Sequence, residues 1–341
     1  MQFSVGYQMR QDDSFLSAME EKRDQIYEVY FSWGDFANGR TKMTDLPLSP
    51  EETAAKQESD LLRLHRAGLS FNLLLNGNCY GGESLARSFY EKIGDTVWML
   101  AENIRLTSVT TTSPLIAKFI KENFPDIKTR ASVNMSIGEI SGMDYVADVF
   151  DGYYMKREHN RNLEKIKSLS EWCKENGKEL FCLANSGCLN HCSAHTFHDN
   201  LVAHETEVMQ KDNAYSFKGV CRSYLENEEK RASVIKDTNF VRPEDISKIE
   251  GYFTAAKLAT RVNSRPEQIL KAYTEGSFSG NTLKLLEPDH SAVLNPYFLD
   301  NSLFPQDFAE TVMQCDKNCE TCTYCENVYH QAAVDVSRLG K

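Results

Sequence analysis

Short apolar runs alternate along the chain with longer stretches in which apolar residues recur every three or four positions. The runs are typical of buried strands, and the longer stretches are typical of helices that bury one face. The predicted strands span Phe3 to Tyr7, Ile26 to Phe31, Leu69 to Leu75, Ile104 to Val109, Arg130 to Val133, Gly152 to Met155, Glu179 to Leu183 and, more weakly, Ile246 to Ile249. The predicted helices span Asp13 to Arg23, Pro50 to Ala67, Gly82 to Glu91, Pro114 to Asn123, Gly138 to Tyr145 and Asn160 to Asn176.

Two of these helices have clear start signals. Ser49 precedes Pro50, and Ser113 precedes Pro114, so each helix has a capping oxygen followed by proline in its first turn. Strands that alternate with helices run parallel. Eight of them predict a TIM-like (β/α)8 barrel in the α/β class, although a doubly wound open sheet gives similar local signals. We place the barrel in residues 1–275 and a cysteine-rich extension in residues 276–341.

The length and the net charge of the chain limit the fold and the partners that it can have. The 341 residues suit one large barrel domain with an appendage. The net charge of -11 argues against a general nucleic-acid-binding surface, because that binding depends on phosphate neutralisation by Lys and Arg. The first ten residues do not resemble a signal peptide, and no window reaches the ~20 apolar residues of a membrane span. We therefore predict a cytoplasmic protein without a membrane partner.

Ten cysteines in such a chain indicate metal or redox chemistry, since a reducing compartment disfavours disulfides. One candidate quartet consists of Cys182, Cys188, Cys192 and Cys221. Its spacing matches neither a zinc ribbon nor a ferredoxin run, so zinc and an iron-sulfur cluster both remain open. Four histidines interleave with these cysteines, and one of them is an alternative fourth ligand: His191, His195, His198 and His204.

The second candidate quartet has the stronger spacing signal, Cys-x3-Cys-x2-Cys-x2-Cys. It consists of Cys315, Cys319, Cys322 and Cys325. Turns of two or three residues bring several thiolates around one centre. We expect a [4Fe-4S] cluster that relays electrons here, with zinc as a structural staple the alternative. Two [4Fe-4S] clusters are thus predicted for the chain.

In a barrel, the residues that follow each strand meet at one mouth, where barrel enzymes carry out their chemistry. Asn76 to Tyr80 follow the third predicted strand, Asn134 follows the fifth, Lys156 to Asn160 follow the sixth and Asn185 follows the seventh. His159 and Asn185 are therefore candidate catalytic residues. The alternative is that these polar residues simply form turns or a solvated helix start.

Two motifs resemble the collagenase-like peptidase family, peptidase family U-32. Glu179 and Phe181 match the family's Glu-x-Phe strand that precedes a turn and spaced cysteines, and Lys248-Ile249-Glu250-Gly251 matches its Lys-Ile-Glu-Gly segment. The predicted helix Tyr252 to Val262 resembles the stretch that follows. The resemblance covers residues 1–275, whereas the C-terminal cysteine run is not part of the common pattern.

The resemblance implies a TIM-like barrel and cluster chemistry more readily than peptide hydrolysis. The family includes proteins similar to oxygen-independent hydroxylases of tRNA, ribosomal RNA and quinone precursors, which carry a [4Fe-4S] cluster on four barrel cysteines. The sequence also lacks a GxSxG elbow and an HExxH helix.

The leading hypothesis is an iron-sulfur redox enzyme in which the barrel quartet activates the substrate and the C-terminal quartet supplies electrons from a protein donor. Lys248 and Glu250 would position substrate or transfer protons, with a plain ion pair between them as the alternative. A small molecule or peptide is the preferred substrate on charge grounds, and RNA is possible. The alternatives are a metal-dependent hydrolase or peptidase and a noncatalytic cluster-bearing subunit.

Overall fold

The computed structural model describes residues 1–39 and 46–338, and it confirms the predicted barrel. Eight parallel strands close in chain order, with the first strand pairing with both the second and the eighth. The strands are β1 (Phe3–Gly6), β2 (Ile26–Phe31), β3 (Phe71–Leu75), β4 (Leu106–Thr111), β5 (Lys128–Ala131), β6 (Gly152–Tyr154), β7 (Glu179–Leu183) and β8 (Ala255–Leu258). A separate antiparallel pair joins β9 (Tyr297–Leu299) and β10 (Ala333–Asp335).

Helices follow the strands and cover the outside of the barrel. Those of the first half are α1 (Ser14–Glu21), α2 (Pro50–Arg66), α3 (Arg87–Asn103), α4 (Pro114–Asn123), α5 (Ile140–Asp144) and α6 (Leu163–Glu175). Those of the second half are α7 (His195–Ala203), α8 (Glu205–Met209), α9 (Val220–Glu226), α10 (Ser233–Lys236), α11 (Pro266–Glu275), α12 (Ser291–Leu294), α13 (Phe308–Gln314) and α14 (Tyr324–Ala332). No helix of the described residues is both long enough and apolar enough to span a bilayer.

The predicted helix starts are confirmed. The Ser49 hydroxyl accepts a hydrogen bond from the Glu52 amide at 3.2 Å, and the Glu52 carboxylate accepts one from the Ser49 amide at 2.8 Å. These two bonds form a capping box at the start of α2. At the start of α4, the Ser113 hydroxyl accepts a hydrogen bond from the Ile116 amide at 3.3 Å.

The predicted eighth strand is wrong. Ile246 lies in the 3-10 helix Pro243–Lys248, and Ile249 directly follows this helix. Both side chains are buried, and they belong to the same helical turn. The true strand β8 lies inside the stretch Tyr252 to Val262, which was predicted to be helical. Apolar residues three positions apart suit a tight helical turn that begins at a proline better than they suit a strand.

The interior of the barrel is polar around one carboxylate. Glu28 on β2 is fully buried and accepts hydrogen bonds from Ser4 Oγ at 3.1 Å, Asn72 Nδ2 at 2.8 Å and Ser108 Oγ at 3.2 Å. It also accepts from the Tyr154 hydroxyl at 3.4 Å and forms a close ion pair with the guanidinium of Arg130 on β5. Burial alone would raise the pKa of Glu28, but Arg130 and these donors hold that pKa below its usual value.

The residues of the Glu-x-Phe motif belong to the same interior. Arg130 Nε donates to Glu179 Oε2 at 3.2 Å, and the guanidinium lies 4.5 Å from the centre of the Phe181 ring. Phe181 in turn stacks on Tyr154 with ring centres 4.9 Å apart. The motif therefore builds the barrel interior in this chain.

A second hydrophobic core lies beside the barrel. It forms between the insertion that joins β7 to β8 (residues 184–254) and the extension that follows α11. Its buried members are Leu225, Val234, Ile235 and Phe240 from the insertion, and Leu283, Leu286, Leu294, Leu299, Phe304, Phe308, Val312, Val328, Tyr329 and Ala332 from the extension. The cysteine-rich extension thus packs onto the insertion that carries the barrel cysteines.

Candidate functional site

A chain of polar contacts runs across the carboxyl end of the barrel. Asn76, just after β3, accepts a hydrogen bond from the Gly39 amide through Oδ1 at 3.1 Å. Its backbone carbonyl lies 3.3 Å from Asn134 Nδ2, after β5. Asn134 Oδ1 lies 3.5 Å from Arg157 Nη2, after β6. The loops that were predicted to meet at one mouth do so.

Three cysteines are neighbours where this chain of contacts ends, and Arg157 contacts one of them. Arg157 Nη1 lies 3.0 Å from Cys188 Sγ, in the loop that follows β7. Burial raises the pKa of the Cys221 thiol at the start of α9, and the neighbouring Cys188 and Cys192 thiols raise it further. The structure therefore brings three members of the first quartet together beside a fixed positive charge.

Cys182, the fourth member of that quartet, lies elsewhere. Side chains along a strand alternate between faces, and the neighbours of Cys182 on β7, Phe181 and Leu183, belong to a cluster inside the barrel. Cys182 instead packs in the main core, within electrostatic range of Tyr273 in α11. Burial raises the pKa of this thiol to about 12. Its side chain belongs to the layer between barrel and helices.

One histidine, His195, is joined to the cysteine loop through its backbone. His195 begins α7, and its amide donates to the Cys192 carbonyl at 3.0 Å. Its Nε2 atom is buried and, within residues 1–39 and 46–338, makes no hydrogen bond, although Asp199 Oδ2 lies 3.2 Å away. Burial and the charge of nearby Arg157 lower the pKa of His195, which favours the neutral imidazole that binds metals.

The other three histidines have different surroundings. His191 is exposed and has a left-handed backbone with φ of 54°. The His198 ring lies edge-on to Phe217 with centres 5.4 Å apart. His204 contacts Cys79 in the loop after β3.

His159 and Asn185 both lie at the mouth, as predicted, but they are held differently. The His159 ring packs so closely against Gly138 that a Cβ on this glycine would lie 2.5 Å from Nε2. Burial and nearby Lys165 lower the pKa of His159. Asn185 is fully buried, and its side chain bonds only backbone groups: it donates to the carbonyls of Ala259 at 3.0 Å and Leu285 at 2.7 Å and accepts from the Ala259 amide at 2.7 Å. These bonds tie the ends of β7 and β8 to the extension.

Lys248 and Glu250 do not form the pair that was the simpler alternative. Lys248 forms a close ion pair with Glu310 on the exposed surface. Glu250 pairs with the amino group of Met1, which precedes β1. Because Met1 lies at the amino end of the strands, Glu250 faces away from the mouth.

The C-terminal cysteines gather around a buried arginine. Burial raises the pKa of the Cys325 thiol, Arg161 opposes that shift, and the neighbouring Cys315 and Cys319 raise the pKa further. Cys322 is exposed. Arg161 is 3% exposed and donates to the carbonyls of Phe240, Ile235 and Thr238, but its Nη2 atom has no hydrogen-bond partner in the described part of the chain.

The cysteines of each group lie near one another, but neither group forms a closed set of metal ligands. Among the described residues, no three His, Cys, Asp or Glu side chains converge closely enough to hold a metal ion as they stand. The chemistry of the donors nevertheless fits a thiolate-bound centre, because each group offers several thiols and has a guanidinium beside it, Arg157 at Cys188 and Arg161 near Cys325. The order of strands and loops placed Arg157 at the mouth, but nothing in the sequence indicated its contact with Cys188 or the position of Arg161 near the C-terminal cysteines.

The fold and its mouth define a TIM-like α/β barrel protein with a cysteine-rich mouth. No protein-family model matches the sequence, and neither does any curated protein. Among solved structures, the chain is similar to a U32 peptidase with 17% identity and a TM-score of 0.50, covering 63% of this chain and 81% of that one. It is also similar to an α-amylase from Lactobacillus plantarum with 11% identity and a TM-score of 0.38, covering 57% of this chain and 64% of that one. The first likeness shows a U32-like fold, and the second carries no argument.

Proposed function

We propose that this chain is an iron-sulfur redox enzyme with its substrate site at the mouth of the barrel. The observation that carries the proposal is the gathering of Cys188, Cys192 and Cys221 beside Arg157 at the carboxyl end of the strands. Enzymes with this fold act at that end. Thiolates are metal ligands, and a guanidinium beside them offsets their negative charge.

The proposed ligands of the barrel centre are Cys188, Cys192, Cys221 and His195. His195 takes the place that the sequence had given to Cys182, because its ring lies in the same loop region and the Cys182 side chain lies in the outer layer of the barrel. A [4Fe-4S] cluster bound there would supply one-electron chemistry at the mouth. Zinc is the alternative occupant of the same donors.

The chain's own residues prepare this site in two ways. Arg157 donates toward Cys188 Sγ and offsets the negative charge of the thiolates, while Asn134 holds the other side of its guanidinium. Asn76 and Asn134 line the mouth with amide groups that suit a polar, uncharged part of a substrate. We propose oxygen-independent hydroxylation, or a related modification, of a small molecule or peptide, with RNA as the second choice.

The C-terminal centre is proposed to relay electrons from a protein donor. Cys315, Cys319 and Cys325 lie beside Arg161, whose unpaired Nη2 is a ready donor to a sulfur atom. Arg157 and Arg161 are four positions apart in the chain, so one short segment serves both cysteine groups.

A backbone hydrogen bond also connects the two regions. The Asn190 amide, between Cys188 and Cys192, donates to the Asp237 carbonyl at 2.5 Å. The Asp237 carboxylate in turn contributes to the raised pKa of Cys319, after burial. This contact supports a short route between the two proposed centres.

The test is metal analysis of protein purified without oxygen. We expect about eight irons and eight sulfides, as two four-iron clusters require, together with their absorption and electron paramagnetic resonance spectra. Cys188→Ser should lose about half of the iron, and it should also lose the activity. The matched control Cys182→Ala should keep both the iron and the activity.

The same variants decide the ligand assignment. His195→Gln should lower iron content if its ring nitrogen is a ligand, and unchanged content would remove it from the set. Full iron in Cys188→Ser would refute the barrel centre. Zinc without iron would overturn the redox proposal in favour of a metal-dependent hydrolase, and clusters without turnover would favour a noncatalytic subunit.

A further inference from the structure

A second group of reactive side chains lies at the mouth, apart from the proposed metal ligands. Cys79 is in the loop after β3 and is partly exposed. This loop is attached to the insertion, because Asn78 Nδ2 donates to Asp199 Oδ2 in α7 at 3.1 Å. His204, at the junction of α7 and α8, comes within 3.9 Å of the position that a Cβ on Gly81 would take. The insertion therefore brings His204 over the Cys79 loop.

Three groups line up there in the order thiol, imidazole and carboxylate. The His204 side chain lies against the Cys79 thiol, and His204 Nδ1 lies 3.6 Å from Glu207 Oε1. The Gly81 amide also donates to Cys79 Sγ at 3.4 Å. A nucleophile in contact with a base that a third group orients is the arrangement found in covalent catalysis.

The pKa shifts of Cys79 and His204 agree with a thiol that gives its proton to the imidazole. The hydrogen bond from His204 lowers the pKa of Cys79, and the Gly81 amide lowers it further. The same contact raises the pKa of His204, which Glu207 supports. Both shifts work in the direction of a thiolate beside an imidazolium. Cys173, by comparison, is buried in α6, and burial raises its pKa to about 12.

We propose that Cys79, His204 and Glu207 form an acyl-transfer site that takes activated carbonyl compounds, namely esters or thioesters. Cys79 Sγ attacks the carbonyl carbon, so an S–C bond forms and the bond from carbon to the leaving oxygen or sulfur breaks. The His204 imidazolium gives its proton to the leaving group. Water then attacks the acyl-thiol with His204 as base, which releases a carboxylic acid and restores the thiol. Glu207 acts as a positioning residue for the imidazole.

The proposal is independent of the metal centres, and its probe is p-nitrophenyl acetate with the full chain. We expect a burst of nitrophenolate equal to the protein concentration and an acetyl group on Cys79 in peptide mass spectra. Cys79→Ala should abolish the burst. The matched control Cys173→Ala should leave it unchanged.

His204→Gln provides a second measurement that does not depend on removing the thiol. The rate of Cys79 alkylation by iodoacetamide should follow a pH midpoint below the usual value of about 8.5, and this variant should move the midpoint up to about 8.5. The burst rate should fall by about a hundredfold. An acetyl group on another cysteine, an unchanged midpoint, or fast alkylation without any burst would each overturn the acyl-transfer site.

Discussion

Replacing Glu28 by Gln tests how strongly the polar interior holds the barrel together. Glu28 is fully buried and faces Arg130, which is 1% exposed. The substitution keeps the shape of the side chain but removes its charge, so the guanidinium keeps only Glu179 as a carboxylate partner. The amide nitrogen that replaces one carboxylate oxygen would also face a group that now donates a hydrogen bond to Glu28.

The expected loss of stability follows from the burial of the ion pair between Glu28 and Arg130. Removing one partner of a buried ion pair costs about 3–5 kcal/mol, because it leaves an uncompensated buried charge. That is a large share of the roughly 5–15 kcal/mol that stabilises a typical protein. The exposed pair between Glu139 and Lys165, with 2.7 Å between its charged atoms, provides the matched control. Glu139→Gln should cost less than about 1 kcal/mol.

The assay is urea unfolding followed by tryptophan fluorescence and far-ultraviolet circular dichroism. The midpoint of Glu28→Gln should fall well below that of the wild type and of Glu139→Gln, with an unchanged dependence on urea. A loss below about 1 kcal/mol, or one equal to that of the control, would refute the reasoning.

Three further predictions follow from contacts described above. Because the folded pKa of Glu28 lies below its unfolded value, its contribution to the free energy of unfolding is complete above about pH 4.3 and is lost as pH falls. The melting temperature of the wild type should therefore drop more steeply from pH 5 to 3 than that of Glu28→Gln. Equal slopes of melting temperature against pH would contradict this. Asn185→Ala should lower the free energy of unfolding by about 1–3 kcal/mol, because backbone groups of Ala259 lose their partner, and urea unfolding measures the loss. Ser49→Ala should cost about 1 kcal/mol through the lost cap of α2, whereas a thermal melt identical to that of the wild type would show that the cap is dispensable.

Most of the strands could be predicted because their residues form apolar runs that burial requires, whereas Lys128–Ala131 is largely polar and shares only two residues with its predicted bounds. Ile26–Phe31 and Glu179–Leu183 have the predicted bounds. The eighth strand, Ala255–Leu258, gives a weak signal, since alanine is a poor strand former and lysine is usually exposed. Lys257 is buried because Tyr30 and Tyr154 cover its ammonium group, 4.0 Å and 5.0 Å from the ring centres.

The sequence placed Cys188 and Cys192 in the loop at the mouth, but it did not indicate where the Cys182 side chain lies. The order of strands and loops places Cys188 and Cys192 at the mouth, and spacing alone grouped Cys182 with them. Strand alternation would have separated Cys182, because Phe181 and Leu183 on either side of it fill the interior. The positions of Arg161 and His204 depend on how the long insertion folds back, which local patterns do not encode.

The ring of donors around Glu28 also selects one alignment of the barrel strands. Side chains on a strand alternate in direction, so a slip of β2 by one position would place Glu28 among the apolar residues of the helix layer and Val29 among the polar groups inside. A slipped barrel would therefore bury an unpaired carboxylate and an unpaired guanidinium at the same time. A purely apolar interior would tolerate such a shift far better, and the buried charges thus discriminate against misaligned closures of the sheet.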